Sequence, residues 1–385
     1  MNYSEESLRA HKAQQGKWAV TSKMPLETKD DLSIAYTPGV AAPCEAIAKN
    51  PEDAYVYTMK GRAVAVVSDG TSVLGLGDIG PMAGLPVMEG KAVLYKKYAD
   101  IDAVPIVLAS KNIDDIVQAV KMISPTFGGI HLEDIAAPAC FAIEERLSAE
   151  LDIPVMHDDQ HATAIVTLAA LYNALQVVGK EIGVIHVVIN GAGAAGIAIA
   201  DLLRSAGVAR VDMVDSKGII GLGRDGMNPE KDRVAKLINA EGRRGGLADA
   251  MLGADVIVGV SRPGVIGQDM VKSMAPKSIV FALANPVPEI MPDEALAAGA
   301  AVIATGRSDF ANQVNNVLVY PGIFRGLLDA RAKKLTMSMK LAAARALADM
   351  VESPTAECII PSILKVNPAP FLAAAVAEEV RRASV

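Results

Sequence analysis

Aromatic residues make up only 4% of the 385, with a single tryptophan, so the cores must be built from Ala, Val, Ile, Leu and Met. This excludes a typical β-sandwich, whose strands favour aromatic and β-branched side chains, and favours α/β layers. Positive charge is not gathered anywhere. The net charge is −7 and no basic block occurs, which argues against nucleic acid or an anionic membrane as partner. No run approaches the ~18 consecutive apolar residues that cross a bilayer. The opening stretch from Met1 to Glu6 lacks the basic and apolar regions of a secretory signal. The three cysteines, Cys44, Cys140 and Cys358, have no metal-ligand spacing and read as buried thiols of a reducing compartment. A cytoplasmic protein of two ordinary domains is expected.

What is present begins with two acidic pairs, each closing an apolar run. Glu133-Asp134 follows Gly129-Ile-His-Leu132, and Asp158-Asp159 follows Pro154-Val-Met-His157. Patterning predicts strands at 62–68, 104–109, 128–132 and 153–156, with helices at 86–99, 112–122 and 138–149 between them. Strands joined by helices of this length form parallel sheets, and ligands of such sheets bind outside the carboxyl ends of the strands. Both acidic pairs fall at those ends. Taken singly, Asp134 and Asp159 read better as helix N-caps. Taken together, four carboxylates at neighbouring strand ends need a cation or protonation to offset their repulsion. Oxygen ligands of this kind suit Mg²⁺ or Mn²⁺, so His131 and His157 are not required as ligands.

A second α/β unit follows. A long helix at 162–178 leads to a strand at 183–189, a turn from Gly191 to Gly196, a helix at 197–206 and a strand at 211–215. Further strands are expected at 255–260, 278–284 and 301–304, then helices at 337–351 and 370–382. In Gly191-Ala-Gly193-Ala194-Ala195-Gly196, the first glycine makes a tight turn. The second lets the backbone approach a pyrophosphate, and the third lets helix pack on strand. Alone the motif is weak. Here it follows a strand, opens a helix, and Asp215 ends the next strand at about the ~20-residue spacing of dinucleotide-binding proteins. Asp215 suits the ribose hydroxyls of NAD, while Ser216 and Lys217 suit the 2′-phosphate of NADP.

The motifs Tyr36-Thr-Pro-Gly-Val40, Val73-Leu-Gly-Leu-Gly-Asp78, Gly90-Lys91, Leu132-Glu-Asp134, His157-Asp-Asp-Gln160, Gly191-Ala-Gly193, Ala284-Asn-Pro286 and Asn312-Gln-Val-Asn-Asn316 stand in the order seen in malic enzymes. From about Tyr36 to Asp329 the chain resembles that family, in its short bacterial form. It ends where some relatives continue into an acetyltransferase-like domain. The resemblance implies two parallel-sheet domains, the second of Rossmann type, with boundaries at 1–160 and 161–330. A helical segment at 331–385 would pack back on the first domain or on a partner subunit.

The implied reaction is oxidation of L-malate to pyruvate and CO₂ with NAD or NADP and Mg²⁺ or Mn²⁺, in a homodimer or larger homo-oligomer. By position, Glu133, Asp134 and Asp159 resemble the metal ligands, and Asp158 orients a ligand or Lys91. Lys91 resembles the base for the C2 hydroxyl, its pKa lowered by the cation and by burial. Tyr36, paired with Lys91, resembles the acid that protonates C3. Asn285, Asn315 and Asn316 resemble substrate amides, with Asn285 also at the cofactor. Longer malic enzymes carry an arginine where Ser72 stands, and Ala162 occupies a place where glycine is frequent.

Each residue also has a plainer reading. Lys91 could be a solvated lysine at a helix start, Tyr36 a loop aromatic, Asn285 a turn residue, and Asn315 and Asn316 caps of the turn before Pro321. Three other functions fit the same signals. They are malolactic decarboxylation, a metal-free hydroxy acid dehydrogenase using His157 or His161, and a non-catalytic dinucleotide sensor.

Overall fold

A computed structural model describes residues 3–383, and of Leu74 only the backbone; Met1, Asn2, Ser384 and Val385 lie outside the described residues. Strands β1 (Ala63–Ser68), β2 (Asp102–Val107), β3 (Gly129–Leu132) and β4 (Val155–His157) form one parallel sheet in the order β2-β1-β3-β4. The helices Pro81–Ala99, Ile113–Ile123 and Ala139–Glu150 connect them. All six residues of β1 are buried, because helices cover both faces of the sheet. Val64 and Val66 face Met88 and Tyr95, while Ala65 and Val67 face Ile116, Val120 and Ile143. Asn112 starts its helix by accepting from the N–H groups of Asp114 and Asp115, an N-cap worth about 1 kcal/mol.

The register places the chemistry. Leu132 pairs with His157, the last residue of β3 with the last of β4. Glu133-Asp134 and Asp158-Asp159 therefore leave the sheet side by side. The helix Asp158–Val178 begins directly at the strand end, so its first turn holds the second acidic pair. That start is four residues earlier than the apolar spacing suggests, because polar first-turn residues hide it. This helix is long and apolar enough to cross a membrane, yet it is mostly buried within the protein. It packs against the helices Ala194–Ser205 and Met337–Asp349.

The second sheet contains β5 (His186–Asn190), β6 (Arg210–Asp215), β7 (Gly218–Ile219), β8 (Val256–Gly259), β9 (Ile279–Ala282) and β10 (Val302–Thr305) in the order β10-β9-β8-β5-β6-β7. All pairings are parallel except the short antiparallel β6–β7 edge. The chain runs outward from β5 to β6 and β7, then crosses back to β8. This reversal beside β5 opens a crevice at its carboxyl end. The two parallel sheets flanked by helices agree with the sequence expectation.

The helix Ala369–Ala383 packs on Tyr320–Asp329 and Met337–Asp349, and touches Pro81–Ala99 of the first unit. The N-terminal helices Tyr3–Gln14, Lys29–Ala35, Ala41–Lys49 and Ala54–Tyr57 bury no residue. Cys140 is buried, but Cys44 and Cys358 are exposed, which corrects the reading of all three thiols as buried. Cys44 lies on one of these unburied N-terminal helices, and Cys358 lies in a turn closed by Thr355.

Candidate active site between the two strand-end crevices

Lys91 is the centre of the first crevice. It sits inside the helix Pro81–Ala99, buried, rather than solvated at a helix start. Its ammonium lies 2.9 Å from Glu133 Oε1 and 2.5 Å from Asp158 Oδ2, and 4.6 Å above the ring of buried Tyr320. Burial pushes the lysine pKa down, but Asp158 and Glu133 raise it further, leaving it well above the ordinary value. The lowering expected from the sequence depends on a cation as well as burial; in the protein alone the two carboxylates outweigh burial. Burial pushes Asp158 up to about 6 against the pull of Lys91, so the pair is charged at neutral pH. Asn316 completes this group, its amide donating to Asp158 Oδ2 at 2.5 Å.

Glu133, Asp134 and Asp159 form a second group that shares Glu133 with the first. One carboxylate oxygen of each lies within 4.8 Å of the others. Asp134 holds a left-handed backbone at φ 54, a conformation that aspartate tolerates better than most residues. Burial, and then Glu133, raise the Asp159 pKa, and His157 and Lys91 offset this only in part. Three hard oxygen donors in this state fit Mg²⁺ or Mn²⁺. His131, Glu133 and Asp158 also lie close enough to share an ion, but Lys91 already bridges Glu133 and Asp158 there. His131 is pushed down to about 3 by burial, so it is neutral. It contacts Tyr95 at 2.7 Å and Glu133 at 2.5 Å.

Several anchors of the site carry no sequence signal. Glu144 accepts from the His157 N–H at 2.8 Å, from Gln160 at 3.0 Å and from His161 at 3.0 Å, tying down the turn that carries Asp158 and Asp159. Burial raises its pKa, but His161 and His157 together hold it below the carboxylate range. Lys340 braces the other side of His161 at 3.0 Å, which leaves His161 spent on structure. Glu289 ties the ends of β8 and β9, accepting from Ser261 N–H at 2.8 Å and Ala284 N–H at 3.0 Å. In sequence, Glu144 is indistinguishable from exposed Glu145 beside it.

The second crevice is made of backbone. Gly191 has φ 128, and a Cβ there would fall 2.5 Å from Val260 O. A Cβ on Gly196 would fall 1.9 Å from Gly191 O, so only glycine permits this approach. Over Gly193 the space is open. The helix that follows has no side-chain cap at Gly193, so its first N–H groups, with Ala194 and Ala195, are left for an anion. The cradle fits a dinucleotide pyrophosphate.

The two crevices meet. Ala194 packs against the apolar cluster that contains Leu132 and Ile135. The Gly75 backbone approaches the Asn285-Pro286 loop so closely that a Cβ would fall 2.7 Å from Asn285 O. Asn285 is exposed at this junction. Asn315 caps the turn Asn316–Leu318 by accepting from Val317 N–H at 2.9 Å. Ser72 donates its N–H to Asp134 O at 2.9 Å. Tyr36 is 72% exposed, and among the described residues no hydrogen bond joins it to Lys91. One chain does not form the pair expected from the sequence.

An acidic cluster with a buried lysine, beside a glycine-rich phosphate cradle, defines a class: dinucleotide-dependent oxidoreductases. The descriptions "Malic enzyme, N-terminal domain" and "Malic enzyme, NAD binding domain" match residues 15–148 and 161–385. The chain is 55% identical over 381 residues to a bifunctional malic/malolactic enzyme of Bacillus subtilis, covering 98% of this chain and 93% of that protein. It is 52% identical to an NAD-dependent malic enzyme of Geobacillus stearothermophilus, over 96% and 78% of the two chains. A solved malic enzyme from Pyrococcus horikoshii superimposes with a TM-score of 0.95 at 50% identity, over 100% and 92% of the chains. The chain belongs to the malic enzyme family.

Proposed function

We propose that this protein oxidises L-malate and releases CO₂, giving pyruvate with reduction of NAD or NADP. The observation that carries the reading is Lys91 held between Glu133 and Asp158, with Glu133 shared by the three-carboxylate cluster. A divalent cation held by Glu133, Asp134 and Asp159 would polarise the hydroxyl oxygen of malate and stabilise the enolate left after decarboxylation. Lys91 takes the hydroxyl proton. Glu133 serves both groups, so a cation that drew its charge would leave Lys91 with Asp158 alone and lower the lysine's pKa, letting it shed its own proton to solvent and act as the free amine. Asp158 and Asn316 fix the lysine in place, and Asn285 and Asn316 offer amides to substrate and nicotinamide at the junction. The glycine loop from Gly191 to Gly196 binds the pyrophosphate.

Tyr36 is the acid that protonates C3. Its exposure fits a second copy of the chain covering the N-terminal segment, where Leu32, Ile34, Tyr36, Val56 and Tyr57 are exposed together with Trp18 and Met24. A homodimer is therefore proposed. A domain division near residues 160 and 330 is part of this reading; the separate sheets support the first boundary, and of the tail helices Met337–Asp349 packs on Asp158–Val178 while Ala369–Ala383 packs on Tyr320–Asp329. Composition supports a cytoplasmic location.

The test is steady-state turnover of L-malate with NAD or NADP, with and without Mn²⁺, measuring both carbon products. Pyruvate and reduced cofactor in equal amounts, lost on chelation and restored by Mn²⁺, are expected. Turnover that survives exhaustive chelation overturns the metal reading. Lactate without net cofactor reduction would instead give the malolactic reading, which the Bacillus subtilis relative's name favours as the alternative.

A further inference from the structure

We propose that the carboxyl end of β6 is built to receive the 2′-phosphate of an adenine dinucleotide, with Arg224 and Lys231 as specificity-determining residues. The inference rests on the dinucleotide-binding reading of the second sheet. An acidic residue at this place ordinarily takes the ribose hydroxyls, which requires free carboxylate oxygens. The oxygens of Asp215 are not free. Oδ1 accepts from Lys217 N–H at 2.9 Å and Arg224 Nη1 at 2.6 Å. Oδ2 accepts from Arg224 Nη2 at 2.6 Å and Lys231 Nζ at 2.7 Å. Four donors fill the roughly four lone-pair sites that a carboxylate has. A ribose diol would have to displace a forked guanidinium at a nearly closed site, where the Arg224 side chain is 9% exposed and that of Asp215 12%.

The charge balance points the same way. Two cations face one carboxylate, and a third lies close by. The Lys217 ammonium folds against Gly226, where a Cβ would fall 2.2 Å from Nζ. Glu230, beside Lys231, is engaged by Arg233 at 2.8 Å. Asp225 faces solvent. The Nε–H of Arg224 is buried without an acceptor, and exposed Ser216, next to Asp215 in sequence, adds a hydroxyl. A bare aspartate would repel a 2′-phosphate. Asp215 clamped by Arg224 and Lys231 instead holds two cations in position for a dianion, which would be met by the second Nη2 hydrogen of Arg224 and the two remaining ammonium hydrogens of Lys231. Asp215 thus acts as the anchor of the site and not as the ribose ligand.

Calorimetric titration with 2′,5′-ADP and with 5′-AMP tests this without turnover. The protein should bind 2′,5′-ADP at least about tenfold tighter, a preference that weakens as salt rises. Lys231→Gln should shrink the preference severalfold with little change for 5′-AMP. Arg224→Ala, which frees Asp215, should remove or reverse it. If Arg224→Ala does not fold, Lys231→Gln alone decides. Equal affinities in the unmodified protein, or a ratio unmoved by the variants, overturn the inference while leaving dinucleotide binding intact. If neither nucleotide binds, nor NAD nor NADP, both readings fall.

Discussion

At the carboxyl ends of β3 and β4 the chain gathers side-chain carboxylates; at the end of β5 it gathers backbone N–H groups and glycines. The backbone problem is the same in both places, a parallel sheet whose strand order reverses and opens a crevice. The electrostatic solutions are opposite. The first crevice concentrates negative charge that Lys91 only partly offsets, so it calls for a cation. The second strips away side chains and leaves unpaired helix N–H groups, so it calls for an anion. The first depends on residue identity and the second on residue absence. That predicts different failures when each is disturbed.

The largest effect should come from the charged crevice. Lys91→Ala should lower malate oxidation by about 10²–10⁴-fold, the usual worth of a positioned acid–base group, with NAD(P) affinity unchanged by calorimetry. An unaltered kcat would remove Lys91 from the chemistry and erase the contrast. Next is the reach of Tyr36. Chains carrying Tyr36→Phe and chains carrying Lys91→Ala, each inactive alone, should on random pairing recover roughly a quarter of full activity if the two residues meet across a two-fold interface. No recovery would place both in one chain.

The glycine crevice should show a smaller, structural effect. Gly196→Ala drives a methyl into the Gly191 carbonyl and should cost about 1–3 kcal/mol of stability, the range for overpacking, read as a lowered Tm. Gly193→Ala, placed in open space, should leave Tm unchanged and weaken only the cofactor. Equal loss of stability in both variants would show that the loop is held by packing alone.

The acidic pairs were legible because each closes an apolar run, and the glycine loop because its spacing follows from backbone geometry. The helix 158–178 was legible except for its start, where polar first-turn residues break the apolar period. Glu144, Glu289 and Tyr320 were not legible. Their roles come from contacts with segments far along the chain, and local pattern does not distinguish them from ordinary surface acids or core aromatics. The charge partners of Lys91 in the protein alone were not legible for the same reason. Burial is readable from a lysine's apolar neighbours in sequence, but the two carboxylates that outweigh it arrive from β3 and from the helix Asp158–Val178.

By itself the sequence determined the parallel strands of both sheets and the helices that join the strands of the first, and that carboxylates and glycines lie at strand ends, since periodicity and turn chemistry are local properties. Only the tertiary structure decided that Leu132 stands level with His157, so that the acidic pairs adjoin. It alone decided that Lys91 is shared between two carboxylates, that Asp215 is already clamped by Arg224 and Lys231, and that Tyr36 stays outside. Register, charge pairing and exposure are set by which segments pack together, and that depends on the whole chain.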